Sequence, residues 1–325
     1  MLVAAACARV VCCRTLLTAI SFLFRFCMNH KLTPGTIFLL VLAPLLWAGN
    51  AVVGRMIHTM VPPVTLNFFR WAIAFLILLT MAASIFKRGS IFWFRWYRYA
   101  LLGLLGVGMY NALQYLALQS STPINVTLVA ASMPVWMLLI GRLFFHAPIS
   151  RSTVAGVVVS IAGVLLVLSR GELQHLMALR LVPGDMLMLL AAICWSLYSW
   201  LLTRGGDGEL RDHWSHFLLA QVSFGLVWSG LFAAGEWMLV APVIHWSGTL
   251  IAAIIFVAVG PALIAFRCWG MGVQRVGPSV AAFFSNLTPL FAALLSSLFL
   301  GETPQLFHAV AFLLIVAGIV LSSRR

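Results

Sequence analysis

Charged side chains are so sparse in this chain that long stretches carry none. Leu32–Gly54, Ser152–Ser169, Met186–Thr203, His213–Gly235, Val276–Gly301 and Thr303–Ser323 contain no Asp, Glu, Lys or Arg, and the run from Tyr99 to Gly141 is 43 residues long. An α-helix needs about 20 mostly apolar residues to cross roughly 30 Å of hydrocarbon. The long run is therefore two crossings, divided at the polar stretch from Gln119 to Pro123. Two further apolar segments, roughly Val64–Phe86 with Arg70 inside it and Gly248–Met271 with Arg267 near its end, bring the expected total to ten. The runs are continuously apolar rather than alternating, which predicts helices and not a barrel. The chain is 63% hydrophobic and 8% charged, against about 45–50% and 25% in soluble domains. That excludes a water-soluble globule, and disorder is excluded by the hydrophobicity. The expected fold is an all-α polytopic membrane protein with ten transmembrane helices.

The net charge of +13 would suggest a nucleic-acid binder in a soluble chain. Here it follows membrane topology. With an inside N-terminus, sixteen of the twenty Lys and Arg fall on the inner side, three (Arg55, Arg170 and Arg180) on the outer side, and Arg70 within a span. Lys and Arg concentrate in cytoplasmic loops, so both termini are expected inside. Residues 1–27 are apolar but broken by Arg9, Arg14 and Arg25, and they admit an interfacial amphipathic helix or translation from Met28. The six cysteines form no CxxC pair, so neither a disulfide frame nor a zinc site is legible.

The two ends of the chain repeat each other. An offset of 155 aligns Pro123 with Pro278, Pro134 with Pro289, Leu143-Phe144 with Leu298-Phe299, Ala162-Gly163 with Ala317-Gly318, and Arg170 with Arg325. A slightly different offset aligns Leu46-Trp47-Ala48 with Cys194-Trp195-Ser196. Five helices per half make the halves enter the membrane from opposite sides, an inverted repeat of the kind found in secondary transporters. The expected organisation is an N-terminal cytoplasmic extension over 1–34, a first five-helix repeat over 35–170, an external linker over 171–183 and a second repeat over 184–325.

The residues Leu46-Trp47-Ala48-Gly49-Asn50, Phe68-Phe69-Arg70 and Met133-Pro134 in the first half, with Gly277-Pro278, Leu287-Thr288-Pro289 and Phe299-Leu300-Gly301-Glu302 in the second, resemble the EamA branch of the drug/metabolite transporter superfamily. The resemblance covers about residues 35–325. It implies ten helices in two halves and export of small metabolites, often amino acids, or of drugs, from a bacterial inner membrane. One departure is plain: where the family usually carries Gly-Glu after helix 4, this chain has Phe145-His146-Ala147.

Polar groups within spans are costly and mark candidate sites. All seven acids lie in expected loops or at helix ends, which favours facilitated transport or exchange over a carboxylate proton relay. Arg70 is the clearest intramembrane charge: it snorkels outward or bonds backbone carbonyls, or else it anchors a substrate carboxylate. Trp47 and Asn50 share a face of helix 1. In helix 3 so do Tyr110 with Gln114, and Asn111 with Tyr115. Helix 4 adds Trp136, helix 6 Trp195 and Tyr198, and helix 9 Asn286. A mixed aromatic and amide lining suits a small solute with a polar end and an apolar body. Each of these groups is also of a kind that glues helices together. Pro134 and Pro289, expected mid-span, read as hinges or as static bends. The glycines Gly156 and Gly163 form a small-residue face suited to close packing or to homodimerisation. Trp93, Trp96, Trp237 and Trp246 read as interface-belt residues. Asp212, His213 and His216 sit in an expected cytoplasmic loop, where solvation is favoured over metal binding.

The expected function is secondary transport, the export of small metabolites, above all amino acids or related compounds, by alternating access. The expected partners are a small-molecule substrate and the lipid bilayer and not nucleic acid, in a monomer or homodimer with no cofactor and no metal. The alternative is a lipid flippase on the same scaffold, and a membrane-integral enzyme ranks lower, since no acid/base or nucleophile cluster is legible at an interface. The absence of a GxxxxGK[ST] motif excludes ATP drive within this chain.

Overall fold

The computed structural model describes residues 32–121, 123–169, 171–172, 174, 182–240, 243–300 and 306–323. Residues 1–31 of the expected N-terminal extension, Met28 among them, the Gly301-Glu302 pair, and Arg170, Arg180 and Arg325 lie outside the described residues. Ten helices are long and apolar enough to cross a membrane: α1 Pro34–Gly54, α2 Pro63–Phe86, α3 Trp96–Ser120, α4 Val126–Phe145, α5 Arg151–Leu168, α6 Pro183–Leu201, α7 Trp214–Leu239, α8 Gly248–Val276, α9 Pro278–Leu295 and α10 Leu306–Ser323. They coincide with the ten predicted runs, and the described residues include no strand.

Helix ends leave backbone N–H groups without partners, and this chain supplies those partners in two ways. Thr33, Ser150 and Ser247 cap α1, α5 and α8 with their own hydroxyls. Pro62 precedes α2 and offers no side-chain cap. Instead the Glu236 carboxylate, 171–172 residues away in α7, accepts from Val64 N at 3.1 Å, Thr65 N at 2.8 Å and Thr65 Oγ1 at 2.7 Å. At the opposite end of the bundle, Arg98 at the start of α3 grips the wholly buried Asp207 through Nε at 2.7 Å and Nη2 at 3.0 Å. Tyr99 donates to the same carboxylate at 3.3 Å. A third acid, Asp185, accepts from Val182 N at 2.8 Å and from the Ser121 hydroxyl, tying the end of α3 to the start of α6. The acids thus act as clasps between the two halves.

The halves interleave. α2 packs on α7 and α5 on α10, each helix against its own counterpart, while α1 packs on α8 and α9 in the way that α6 packs on α3 and α4. Those pairings are what a pseudo-twofold axis between inverted repeats requires. The offset of 155 extends to backbone detail. A seven-residue π-helical segment, Gly103–Met109, lies in α3, and its counterpart Ala258–Ile264 lies in α8. Such wide turns loosen backbone pairing and cluster at functional sites. Both segments accept side-chain donors from other helices: Asn67 Nδ2 reaches Val107 O at 3.4 Å, and Trp47 Nε1 reaches Pro261 O at 3.3 Å.

The structure sharpens two sequence expectations. Pro134 and Pro289 lie mid-span, each just after a break in its helix. The stretch containing α4 is two segments, Pro123–Ala130 and Met133–Phe145, and that containing α9 is Pro278–Ser285 and Leu287–Leu300. Pro134 and Pro289 stand in the first turn of each restarted segment, where a missing N–H breaks no intrahelical bond. The glycine face of α5 is also already occupied. A Cβ at Gly156 would come within 2.7 Å of Gly318 O, and one at Gly163 within 2.9 Å of Ala311 O. This face packs against α10 and is not available to a second copy.

The departure after α4 has a backbone explanation. His146 adopts a left-handed conformation (φ 52°) and returns its N–H to Gly141 O. Glycine takes this C-terminal position without strain, so the histidine keeps the turn that a glycine would make more cheaply.

Candidate functional site

Seven aromatic side chains from five helices meet where the halves interleave. Trp47 of α1 and Trp195 of α6 stand edge to face, with ring centres 5.2 Å apart and planes at 86°. Trp195 also touches Tyr110 at 4.9 Å, Tyr198 at 5.1 Å, Phe266 at 5.3 Å and Trp269 at 5.7 Å. Trp71 of α2 joins through Phe266 at 4.8 Å. Edge-to-face pairs are favoured by the ring quadrupole at about 0.5–1.5 kcal/mol each. Trp47 and Trp195 are repeat counterparts, and a residue touches its own counterpart only beside the pseudo-twofold axis. The cluster therefore marks the centre of the molecule.

Glycine and hydrogen bonds hold these rings. Tyr198 lies over Gly106, where a Cβ would approach its ring to 2.7 Å. Trp269 Nε1 donates to Ser199 Oγ at 3.1 Å. Trp71, Phe266 and Trp269 were not among the sequence candidates. The i, i+3 spacing of Phe266 and Trp269 on the same helix as Pro261 is the signal that was available.

Arg70 borders the cluster. It is 2% exposed, so it does not snorkel out of the bundle. Its guanidinium lies 5.1 Å from the centre of the Trp71 ring. Its Nε and the neighbouring Trp71 Nε1 are buried without hydrogen-bond partners, as is Asn67 Oδ1 one turn earlier. Among the described residues no acid pairs with Arg70. A buried unpaired charge is strongly unfavourable, and buried orphan donors are rare enough to need a cause. Asn50, Gln114 and Tyr115 are half-buried and Asn111 is buried, all on α1 and α3, the helices that carry Trp47 and Tyr110.

Two other candidates lie apart from the rings. Trp136 donates to Ser132 Oγ at 3.1 Å within α4. Asn286, at the break in α9, donates to Ser160 Oγ of α5 at 2.8 Å, a bond between helices. Trp93, Trp96, Trp237 and Trp246 are all exposed, as belt residues are. Arg267 is exposed and stacks on Trp214 at 4.6 Å. His213 and His216 lie with Ser84, Lys87 and Asp212 around a separate cavity of about 700 Å³ at the Asp207 end. There Ser84 Oγ is 2.9 Å from His216 Nε2, and no group of three metal-ligating side chains occurs among the described residues.

Interleaved inverted halves around a buried central cluster define a multi-pass helical transporter. The chain belongs to the EamA-like transporter family, whose model matches it twice, over residues 34–169 and 182–324. An uncharacterized transporter of Archaeoglobus fulgidus is 27% identical over 92% of this chain and 99% of its own length. The transporter YyaM of Bacillus subtilis, also uncharacterized, is 25% identical over 69% of this chain and 72% of its own. The aromatic amino acid exporter YddG of Ancylobacter novellus is 25% identical over 68% of this chain and 74% of its own. A solved crystal structure superposes with a TM-score of 0.69, at 23% identity, over 88% of this chain and 95% of that one, a likeness of fold.

Proposed function

We propose that this protein is a secondary exporter of small metabolites, amino acids or related compounds that combine a carboxylate with an apolar body. It works by alternating access in a bacterial inner membrane, with both termini cytoplasmic. The observation that carries this is the meeting of Trp47 with Trp195, its repeat counterpart, beside a buried Arg70 that no acid among the described residues neutralises. Exchange of conformation between inverted halves exposes such an axial site to each side in turn. The rings pack the substrate body, with Trp47, Tyr110, Trp195 and Tyr198 around it. Asn50, Asn111, Gln114 and Tyr115 supply hydrogen bonds, and Arg70 takes the carboxylate. The breaks before Pro134 and Pro289 serve as hinges. The A. novellus relative, named for aromatic amino acid export, fits the same substrate shape.

The test is counterflow in proteoliposomes of the purified full chain, preloaded with unlabelled amino acids. Saturable uptake of labelled tryptophan, phenylalanine or a related carboxylate is expected, reduced at least about tenfold in Trp195→Ala. Lipid scrambling with no solute counterflow would sink the exporter assignment in favour of a flippase.

A further inference from the structure

The charge balance of the central site narrows the substrate class. Resting on the exporter assignment above, we propose that the preferred substrate is a net monoanion, an aromatic or otherwise apolar carboxylate without an ammonium group, rather than a zwitterionic amino acid. The geometry that carries this is the buried Arg70, its Nε without a partner and no acid paired with it among the described residues, with its neighbour Trp71 joined edge to face to the ring cluster through Phe266.

Arg70 brings one positive charge into the bundle. A monoanion bound to it returns the local sum to zero. A zwitterion leaves the sum at +1 and adds an ammonium that needs its own partner in a low-dielectric interior, where unpaired charge is most costly.

Three acids nearest the helix ends are already engaged. Glu236 serves the α2 terminus, Asp207 serves Arg98 and Tyr99, and Asp185 serves Ser121 and Val182. Glu172 and Asp212 are exposed, and the side chains of Glu209 and Glu302 lie outside the described ones. Ring faces attract ammonium groups, but here they are occupied: Arg70 lies over Trp71, and Trp195 is in tilted contact with Tyr110, Tyr198 and Trp269. The orphans Arg70 Nε and Trp71 Nε1 are both donors, the complement of a carboxylate. The orphaned acceptor one turn away, Asn67 Oδ1, is neutral and suits a hydroxyl or an N–H on the substrate body.

Three probes of one shape separate the possibilities: 3-phenylpropionate carries only the carboxylate, L-phenylalanine carries both groups, and 2-phenylethylamine carries only the ammonium. Saturable binding of each, radiolabelled, is measured at neutral pH on the purified full chain in detergent by scintillation proximity. The expected order is 3-phenylpropionate tightest, phenylalanine weaker by at least about tenfold, and phenylethylamine without saturable binding. Arg70→Gln should abolish the order and Arg70→Lys should keep it. The wild-type order decides the matter even if Arg70→Gln does not fold. Phenylalanine binding as tightly as 3-phenylpropionate, or more tightly, overturns the monoanion preference and leaves the exporter assignment standing. The same holds if none of the three binds while amino-acid counterflow is saturable. If none binds and no solute exchanges, both fall together.

Discussion

α3 and α8 are the same helix twice, and they have parted company. Each carries a seven-residue π segment, and the two segments stand 155 positions apart. Just beyond the segment, that offset sets Asn111 against Phe266 and Gln114 against Trp269. One helix presents amides where the other presents rings. The starts differ as well: α3 is clasped by Arg98 and Tyr99 on the buried Asp207, whereas α8 begins with an ordinary serine cap, Ser247. The comparison teaches that the repeat preserves backbone geometry while side-chain chemistry diverges. In the proposed site that divergence makes a polar wall and an aromatic wall.

The starts offer the largest expected difference. Asp207→Ala leaves the Arg98 guanidinium, only 11% exposed, without its partner and should cost about 3–5 kcal/mol. Ser247→Ala, which removes a single cap bond, should cost about 1 kcal/mol. Thermal unfolding of the two variants in detergent measures this, and equal losses would show that the clasp is no more than a cap.

Making α8 resemble α3 is the next test. Phe266→Asn and Trp269→Gln should each weaken binding of an aromatic substrate on the order of tenfold, about 1.4 kcal/mol, by removing ring contacts. Unchanged affinity in both would mean that the aromatic wall packs the bundle without touching substrate.

Within the π segments, Gly106→Ala drives a methyl into Tyr198 and should cost about 1–3 kcal/mol and slow transport. Gly260→Ala meets Leu46 at an ordinary 3.4 Å and should stay within about 0.5 kcal/mol of wild type. Stability and counterflow measured on the pair would expose any symmetry of tolerance.

The smallest effect is expected at the end of α4. His146→Gly should raise stability by about 1 kcal/mol by relieving a left-handed histidine, seen as a higher unfolding midpoint with transport unchanged.

Much of the fold was legible because the constraint behind it is simple. A span must be long and nearly uncharged, and the gaps between charges locate most of the ten; the exceptions are α2 and α8, because Arg70 and Arg267 fall inside them. The repeat singled out Trp47 and Trp195 as counterparts, but that the two rings meet is seen only in the packing. Trp71, Phe266 and Trp269 were less visible, because an aromatic residue among leucines reads the same whether it faces lipid or the centre. The clasps of Glu236 and Asp207 were hidden for another reason. Each acid sits at a helix end, where solvation is the ordinary expectation, and its partner lies more than a hundred residues away. Asn286 looks in sequence like any candidate site amide, yet it bonds Ser160 across helices, a role that only packing reveals.

The meeting of Trp47 with Trp195 also bears on how a molecule can lie in the site. In a true symmetric dimer every substitution appears on both sides of the axis, so an axial pocket offers a lopsided guest two equivalent poses, head one way or the other. Two halves joined in one chain escape that rule. If the proposed site holds the substrate, amides on one wall and rings on the other make the two poses differ in energy, and a guest with a charged head and a flat tail takes a single orientation. Fusion of the halves thus gives an axial site a sense of direction that symmetry alone would deny it.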